Sequence, residues 1–148
     1  MKSKLILTGL LWGVASVIFA QEFKVVTVVE SIVPGGVGRS RMIEQKQEMN
    51  YHDLTTERTN GRKSDQDEIK RSDIKIDNFS ETKLLNFYSI AGINFQNIAS
   101  NDAVISSKIN EMVKDGYDLA FVSSAVESDA GKSDGVGIFI TRLYFKKK

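Results

Sequence analysis

The sequence contains no cysteine, 1 histidine and 1 proline among its 148 residues. Without cysteine, we expect no disulfide framework, thiolate metal site, cysteine nucleophile or lipid-modified cysteine. The single histidine, His52, argues against a two-histidine zinc site and against a Ser-His-Asp triad. Its 20 basic and 19 acidic side chains leave no large positive excess to neutralise nucleic-acid phosphates. The composition therefore predicts neither a nucleic-acid partner nor a cofactor.

The first twenty residues predict a secretory signal peptide. Lys2 and Lys4 precede an apolar run, Leu5–Phe19, which is followed by the small residue Ala20. The run is shorter than the roughly 20 residues of a membrane-spanning helix, although a retained anchor is the alternative. We expect cleavage after Ala20, export to the periplasm or beyond the cell, and a single mature domain over 21–148. Loss of the two lysines changes the net charge from +1 to −1.

The mature chain begins with a pattern typical of a β-strand. Phe23–Val33 is rich in β-branched residues and contains neither proline nor glycine. Pro34 and the glycines that follow it end this strand, because proline lacks a donor and glycine permits positive φ. The next segment, Ser40–Met49, is too polar to distinguish a second strand from a short helix.

The composition changes at about 53–77, where nearly every second residue is charged. Such a segment buries too little apolar surface to offset the entropy lost on ordering. We therefore expect a mobile charged excursion, with a short edge strand over Asp73–Phe79. After it, Lys83–Ile90 favours a further strand, although apolar residues spaced along 84–98 also fit a helix.

The clearest helical pattern comes next in the chain. Asn101 or Asp102 is the predicted N-cap, and Gly116 is expected to end the helix. Ile105, Ile109 and Met112 repeat on one face, so the helix is amphipathic and should cover one side of a sheet.

Two strands are predicted to complete the domain. They are Tyr117–Val126 and Val136–Lys146, separated by a polar loop with hairpin chemistry. Together the segments predict an α+β fold, with a mainly antiparallel sheet of about four or five strands and one amphipathic helix packed on it.

Three short motifs resemble a small bacterial domain family of unknown function. That family typically shows a Tyr-Lys-Val-Val strand, a helix ending in Gly-Trp-Glu-Leu and a closing strand ending in Phe-Lys-Arg. Here the matching motifs are Phe-Lys-Val-Val from Phe23, Gly-Tyr-Asp-Leu from Gly116, and Tyr-Phe-Lys from Tyr144. With its signal peptide, the chain also resembles uncharacterised exported proteins of Bacteroidetes type. The resemblance implies a fold and no particular activity.

The glycine-rich turn after the first strand is a candidate anion site. Backbone N–H groups there would cradle the anion and two arginines would supply charge. The residues are Gly35, Gly36, Gly38, Arg39 and Arg41. The turn lacks the Lys-Ser/Thr pair of a P-loop and the dinucleotide glycine spacing. A flexible turn without a ligand is the alternative.

The polar loop between the last two strands is a candidate calcium site. Glu127, Asp129 and Asp134 offer carboxylate oxygens, which calcium prefers. Counted from Asp129, the twelfth position is Ile140 rather than the glutamate of an EF-hand, so only an irregular site fits. A solvated hairpin loop is the alternative. His52 beside Asp53 offers a weaker metal or base site.

The chain shows no recognisable catalytic constellation. We therefore hypothesise an exported, non-enzymatic domain that binds an envelope or secreted protein, or itself, through an open sheet edge. Val136–Phe145 and Pro34–Arg41 are the segments predicted to carry this contact. A small-ligand or anion-binding protein using residues 35–41 is the alternative, and a hydrolase is a third hypothesis.

Overall fold

A computed structural model describes residues 21–31, 40–89, 91–126 and 137–148 of the chain. The elements in chain order are β1 (Phe23–Ser31), β2 (Arg41–Gln45), α1 (Arg71–Ile74), β3 (Phe79–Lys83), β4 (Tyr88–Ser89), β5 (Gly92–Ile93), α2 (Phe95–Lys114), β6 (Tyr117–Val126) and β7 (Ile138–Lys147). Five strands form one antiparallel sheet in the order β3-β2-β1-β7-β6.

The core lies between one face of this sheet and α2. Its buried apolar side chains are Val26, Val28, Met42, Leu84, Met112, Tyr117, Leu143 and Phe145. Ile105 and Ile109 pack against this cluster together with Val104. The predicted α+β fold is confirmed, as is the helical face through Ile105, Ile109 and Met112.

The strongly patterned segments form the elements that the sequence predicts. β1 and β6 begin at the predicted residues, and β7 lies within one or two residues of its predicted bounds. Gly116 follows α2 with a φ of 86°, a left-handed conformation that glycine adopts without steric cost. The undecided segment after the first turn is a strand, β2.

The start of α2 differs from its prediction. The helix begins at Phe95, and its N-cap is Asn94, seven or eight residues before the predicted cap. The Asn94 side chain accepts a 3.1 Å hydrogen bond from the backbone N–H of Asn97. Asn101 is an interior helix residue and is buried. The prediction missed the first turns because they are polar and carry the exposed Phe95, so their apolar periodicity is weak.

Residues 46–78 form the excursion between β2 and β3. The backbone N–H of Lys46 donates to the carbonyl oxygen of Asn78 over 3.0 Å, which closes the base of the excursion. It contains three single 3-10 turns and α1, and none of them has a buried residue. The predicted edge strand at Asp73–Phe79 is wrong: β3 starts only at Phe79.

The predicted strand over Lys83–Ile90 is also wrong. After Leu84 the chain leaves the sheet, and the two-residue strands β4 and β5 pair only with each other. Side chains rather than a β-ladder form the hydrogen bonds of this backbone. The Asn101 amide bonds the N–H and the carbonyl of Leu85, and the Asn97 amide donates to the Asn86 carbonyl over 2.7 Å. Sequence patterns of apolar residues do not report such contacts.

The predicted signal peptide, residues 1–20, lies outside the described residues. Among the helices that are described, none has the length and apolar character needed to cross a lipid bilayer.

Candidate functional site

The predicted anion site lies mostly outside the described residues, since positions 32–39 are not part of them. Arg41 is described and lies on β2, opposite Lys83 of β3. Its guanidinium forms an ion pair with the Glu81 carboxylate of the same neighbouring strand. Arg41 therefore contributes a cross-strand contact, and the anion site stays a prediction.

The predicted calcium ligands Glu127, Asp129 and Asp134 also lie outside the described residues. Within the described segments, no three His, Cys, Asp or Glu side chains cluster as a metal site requires. His52 is exposed in a single 3-10 turn, and its ring lies 4.0 Å from the Tyr51 ring, measured between centroids. Its environment is a solvated turn without a rigid frame.

A polar cleft lies between α2 and the strands β2 and β3. Its volume is about 360 Å³, and its lining includes Ser80, Thr82 and Ser107. At its centre the Lys108 ammonium lies 2.9 Å from the Glu44 carboxylate. The Lys46 ammonium lies 3.4 Å from the same carboxylate, so the charged groups within the cleft are largely paired with one another.

The environment of this ion pair favours the charged form of both groups. Burial raises the pKa of the Glu44 carboxyl, but Lys108 and Lys46 outweigh that effect and leave its pKa below the ordinary value. Burial lowers the pKa of the Lys108 ammonium, but Glu44 and Glu111 outweigh it and leave that pKa above the ordinary value. The pair therefore joins helix and sheet electrostatically, with both groups in their charged forms near neutral pH.

We expect Lys108→Met to lower the free energy of unfolding by about 1–2 kcal/mol at pH 7, because Glu44 keeps only Lys46 as its partner. The stabilisation by Glu44 is present above its ordinary pKa of 4.5 and disappears as the pH falls through its lower folded value. The difference between variant and wild type, measured by urea unfolding, should therefore shrink as the pH falls below 4.5. Lys114→Met, an exposed change on the same helix, serves as the control.

The most unusual surface is the outer edge of β6. This strand ends the sheet order, and the described residues place no further strand beside it. The strand has ten residues, and the last eight of them, Leu119–Val126, carry no charge. Phe121 is 62% exposed, and Val122 and Val126 are also exposed. A long apolar strand at a sheet edge presents unpaired backbone groups and is a template for pairing with another strand.

The opposite edge of the sheet is built differently. β3 has five residues, and two of them, Glu81 and Lys83, are charged. Short length and charged side chains are the usual protection of an edge strand. Of the two edges, β6 is therefore the one suited to accept a partner.

The beginning of β6 is fixed in the domain. The Tyr117 hydroxyl donates a 2.7 Å hydrogen bond to Glu22, and the ammonium groups of Lys24 and Lys147 lie 4.9 and 4.4 Å from the centre of its ring. A bulge between Leu119 and Phe121 then shifts the pairing with β7 by one residue. Beyond the bulge, pairing with β7 is regular from Phe121 to Val126.

One face of the sheet is covered by α2, and the described residues place no layer on the other face. Phe121 and Tyr144 lie on this uncovered face, with their ring centroids 5.8 Å apart. Phe79 of β3 also lies on it, at the opposite edge, and is 44% exposed. The apolar surface of β6 therefore continues from its edge onto the uncovered face.

The structure places β7 inside the sheet rather than at its edge. Val136–Phe145 was predicted to carry the contact, but β7 lies inside the sheet with β1 on one side and β6 on the other. Its backbone groups are used in both ladders. The predicted edge of the sheet exists, and β6 occupies it.

No protein-family model, no curated protein and no solved structure matches this chain. The resemblance of its three motifs to a family of unknown function therefore stays a prediction.

Proposed function

We propose that this chain is an exported, non-enzymatic protein-interaction module whose β6 edge receives an extended segment of a partner. The observation that carries the proposal is the contrast between the two edges of the sheet. β6 is ten residues long and free of charge from Leu119 onward, whereas β3 is short and charged. Export rests on the sequence of residues 1–20 alone.

Strand addition suits this edge physically. Main-chain hydrogen bonds to the outer side of β6 would supply affinity, and alternate side chains would supply selectivity on each face. Phe121 presents a large apolar surface on the uncovered face, while Val122 and Val126 lie on the face of α2. A partner segment that alternates apolar residues on at least one face would complement this arrangement.

Photo-crosslinking tests the proposed edge. We expect p-benzoylphenylalanine at position 121, in the full chain produced in cells, to form protein adducts. The same substitution at position 79 is a matched control, because Phe79 is an exposed phenylalanine on the same face at the other edge. Adducts at position 121 at least five times as abundant as those at position 79 would support the proposal. Equal yields, or no adduct at position 121, would contradict it.

A further inference from the structure

We propose that the segment added at β6 is β6 of a second copy of this chain. The two strands would run antiparallel across a twofold axis, and the two five-stranded sheets would join into one of ten strands. This inference rests on the proposed function and names the partner of the same edge.

Charge disfavours a second copy at β3 and does not oppose one at β6. In a twofold pairing each residue meets a symmetry-related residue of the same strand, so a charged residue at the centre opposes its own kind. The centre of β3 is Glu81, and pairing about it would bring two carboxylates together. The segment Ala120–Val126 contains no charged residue, so β6 pairs with itself without repulsion.

The symmetry also restricts the register. Residues opposite each other in an antiparallel pair point to the same face of the sheet, and the twofold axis of such a pair is perpendicular to the sheet. The axis must therefore pass midway between one residue and the same residue of the second copy. That residue then lies directly opposite its own symmetry mate. An axis at Ser124 would place Phe121 opposite residue 127, which lies outside the described residues. An axis at Ser123 keeps all of Ala120–Val126 paired.

The register centred on Ser123 matches side chains by size. It places Phe121 opposite Ala125 on the uncovered face, so that a large side chain meets a small one. On the other face it places Val122 opposite Ser124. The axis also puts α2 of both copies on the same side of the joined sheet. The aromatic pair of Phe121 and Tyr144 in each copy then lies close to the contact on the uncovered side.

The size of this contact sets its strength. Seven paired residues span roughly 23 Å of strand, which corresponds to the small interfaces of weak or transient complexes. We therefore expect association that depends on concentration, in the range of about 1–100 μM, rather than a permanent dimer.

Disulfide trapping tests the register directly, because the natural chain contains no cysteine and any disulfide formed must join two copies. In the predicted dimer the two Ser123 residues face each other at a Cα separation of about 4.5–5.5 Å, within the range of a disulfide. We expect S123C to be trapped as a covalent dimer under mild oxidation. We expect at least a fivefold lower yield for V122C, because in this register residue 122 lies opposite Ser124 rather than opposite residue 122 of the second copy.

Thr82→Cys on the opposite edge is the matched control and should also give at least a fivefold lower yield. Equal yields for S123C and T82C, or a larger yield for V122C than for S123C, would overturn the proposal. Sedimentation of the unmodified chain gives a second measurement, since a mass that stays monomeric up to about 100 μM would also overturn it. Adducts of position 121 with another protein alone would overturn the second copy as partner and leave the proposed function standing. No adduct at all would overturn both.

Discussion

Phe145→Ala should destabilise the domain by about 3–5 kcal/mol, the range measured when a buried phenylalanine is truncated. Phe145 is 0% exposed and lies on β7 at the centre of the core cluster, together with Met112 of α2. Truncation leaves a cavity where sheet and helix meet, and the rigid ladders on both sides of β7 limit its collapse. For a domain of this size the melting temperature should fall by roughly 10 °C or more.

Phe121→Ala is the matched control for this loss. It removes the same atoms from β6, the neighbouring strand, at a position where they remain in contact with solvent. We expect a change below about 1 kcal/mol in the free energy of unfolding, measured by urea denaturation. A similar loss for both variants would contradict the assignment of Phe145 to the core and of Phe121 to the exposed edge.

Asn101→Ala should destabilise the domain by about 2–3 kcal/mol, a large effect for a polar residue. The Asn101 side chain is 1% exposed and bonds three groups. Its Oδ1 accepts from the Leu85 N–H over 2.8 Å, and its Nδ2 donates to the Leu85 carbonyl over 2.8 Å and to Glu30 over 3.0 Å. Alanine removes all three bonds and weakens the attachment of the segment after β3 to α2.

Hydrogen exchange at the Leu85 amide separates this loss from a general weakening of the helix. We expect exchange there to accelerate more in Asn101→Ala than exchange in the middle of α2. Asn110→Ala provides the control, since Asn110 is exposed on the same helix and alanine is the better helix former. An Asn101→Ala variant as stable as Asn110→Ala would show that the buried amide is dispensable.

Strong local patterns explain why much of the fold could be predicted from the sequence. β1 and β6 are runs of β-branched and aromatic residues, and β7 alternates between two faces. Gly116 marks the end of α2 because its backbone there is left-handed, a conformation that favours glycine. These signals depend on neighbours in the sequence, and so they can be read without knowledge of tertiary contacts.

The wrong predictions concern segments that are organised by distant residues. Asn101 was interpreted as an N-cap because asparagine favours that position, whereas its amide bonds Leu85 sixteen residues earlier in the chain. The backbone of Leu85 and Asn86 is held by such side-chain bonds instead of by the ladder of the main sheet. Periodicity carries no information about either contact.

The sequence predicts that the sheet has an open edge but does not predict which strand forms it. An open sheet edge follows from an antiparallel sheet with a single helix, but which strand lies at the edge depends on strand order. The order places β1 between β2 and β7, a pairing of segments more than a hundred residues apart. The lack of charge from Leu119 to Val126 is visible in the sequence, and it becomes informative only once β6 is known to be an edge.

Hydrogen exchange along β6 as a function of protein concentration tests the central claim most directly. If β6 pairs with β6 of a second copy, raising the concentration of the unmodified chain from about 1 to 100 μM should slow exchange at alternate amides between Ala120 and Val126. Exchange in β3 should stay the same, since that edge remains unpaired in the predicted dimer. Exchange rates in β6 that do not change with concentration would contradict the claim.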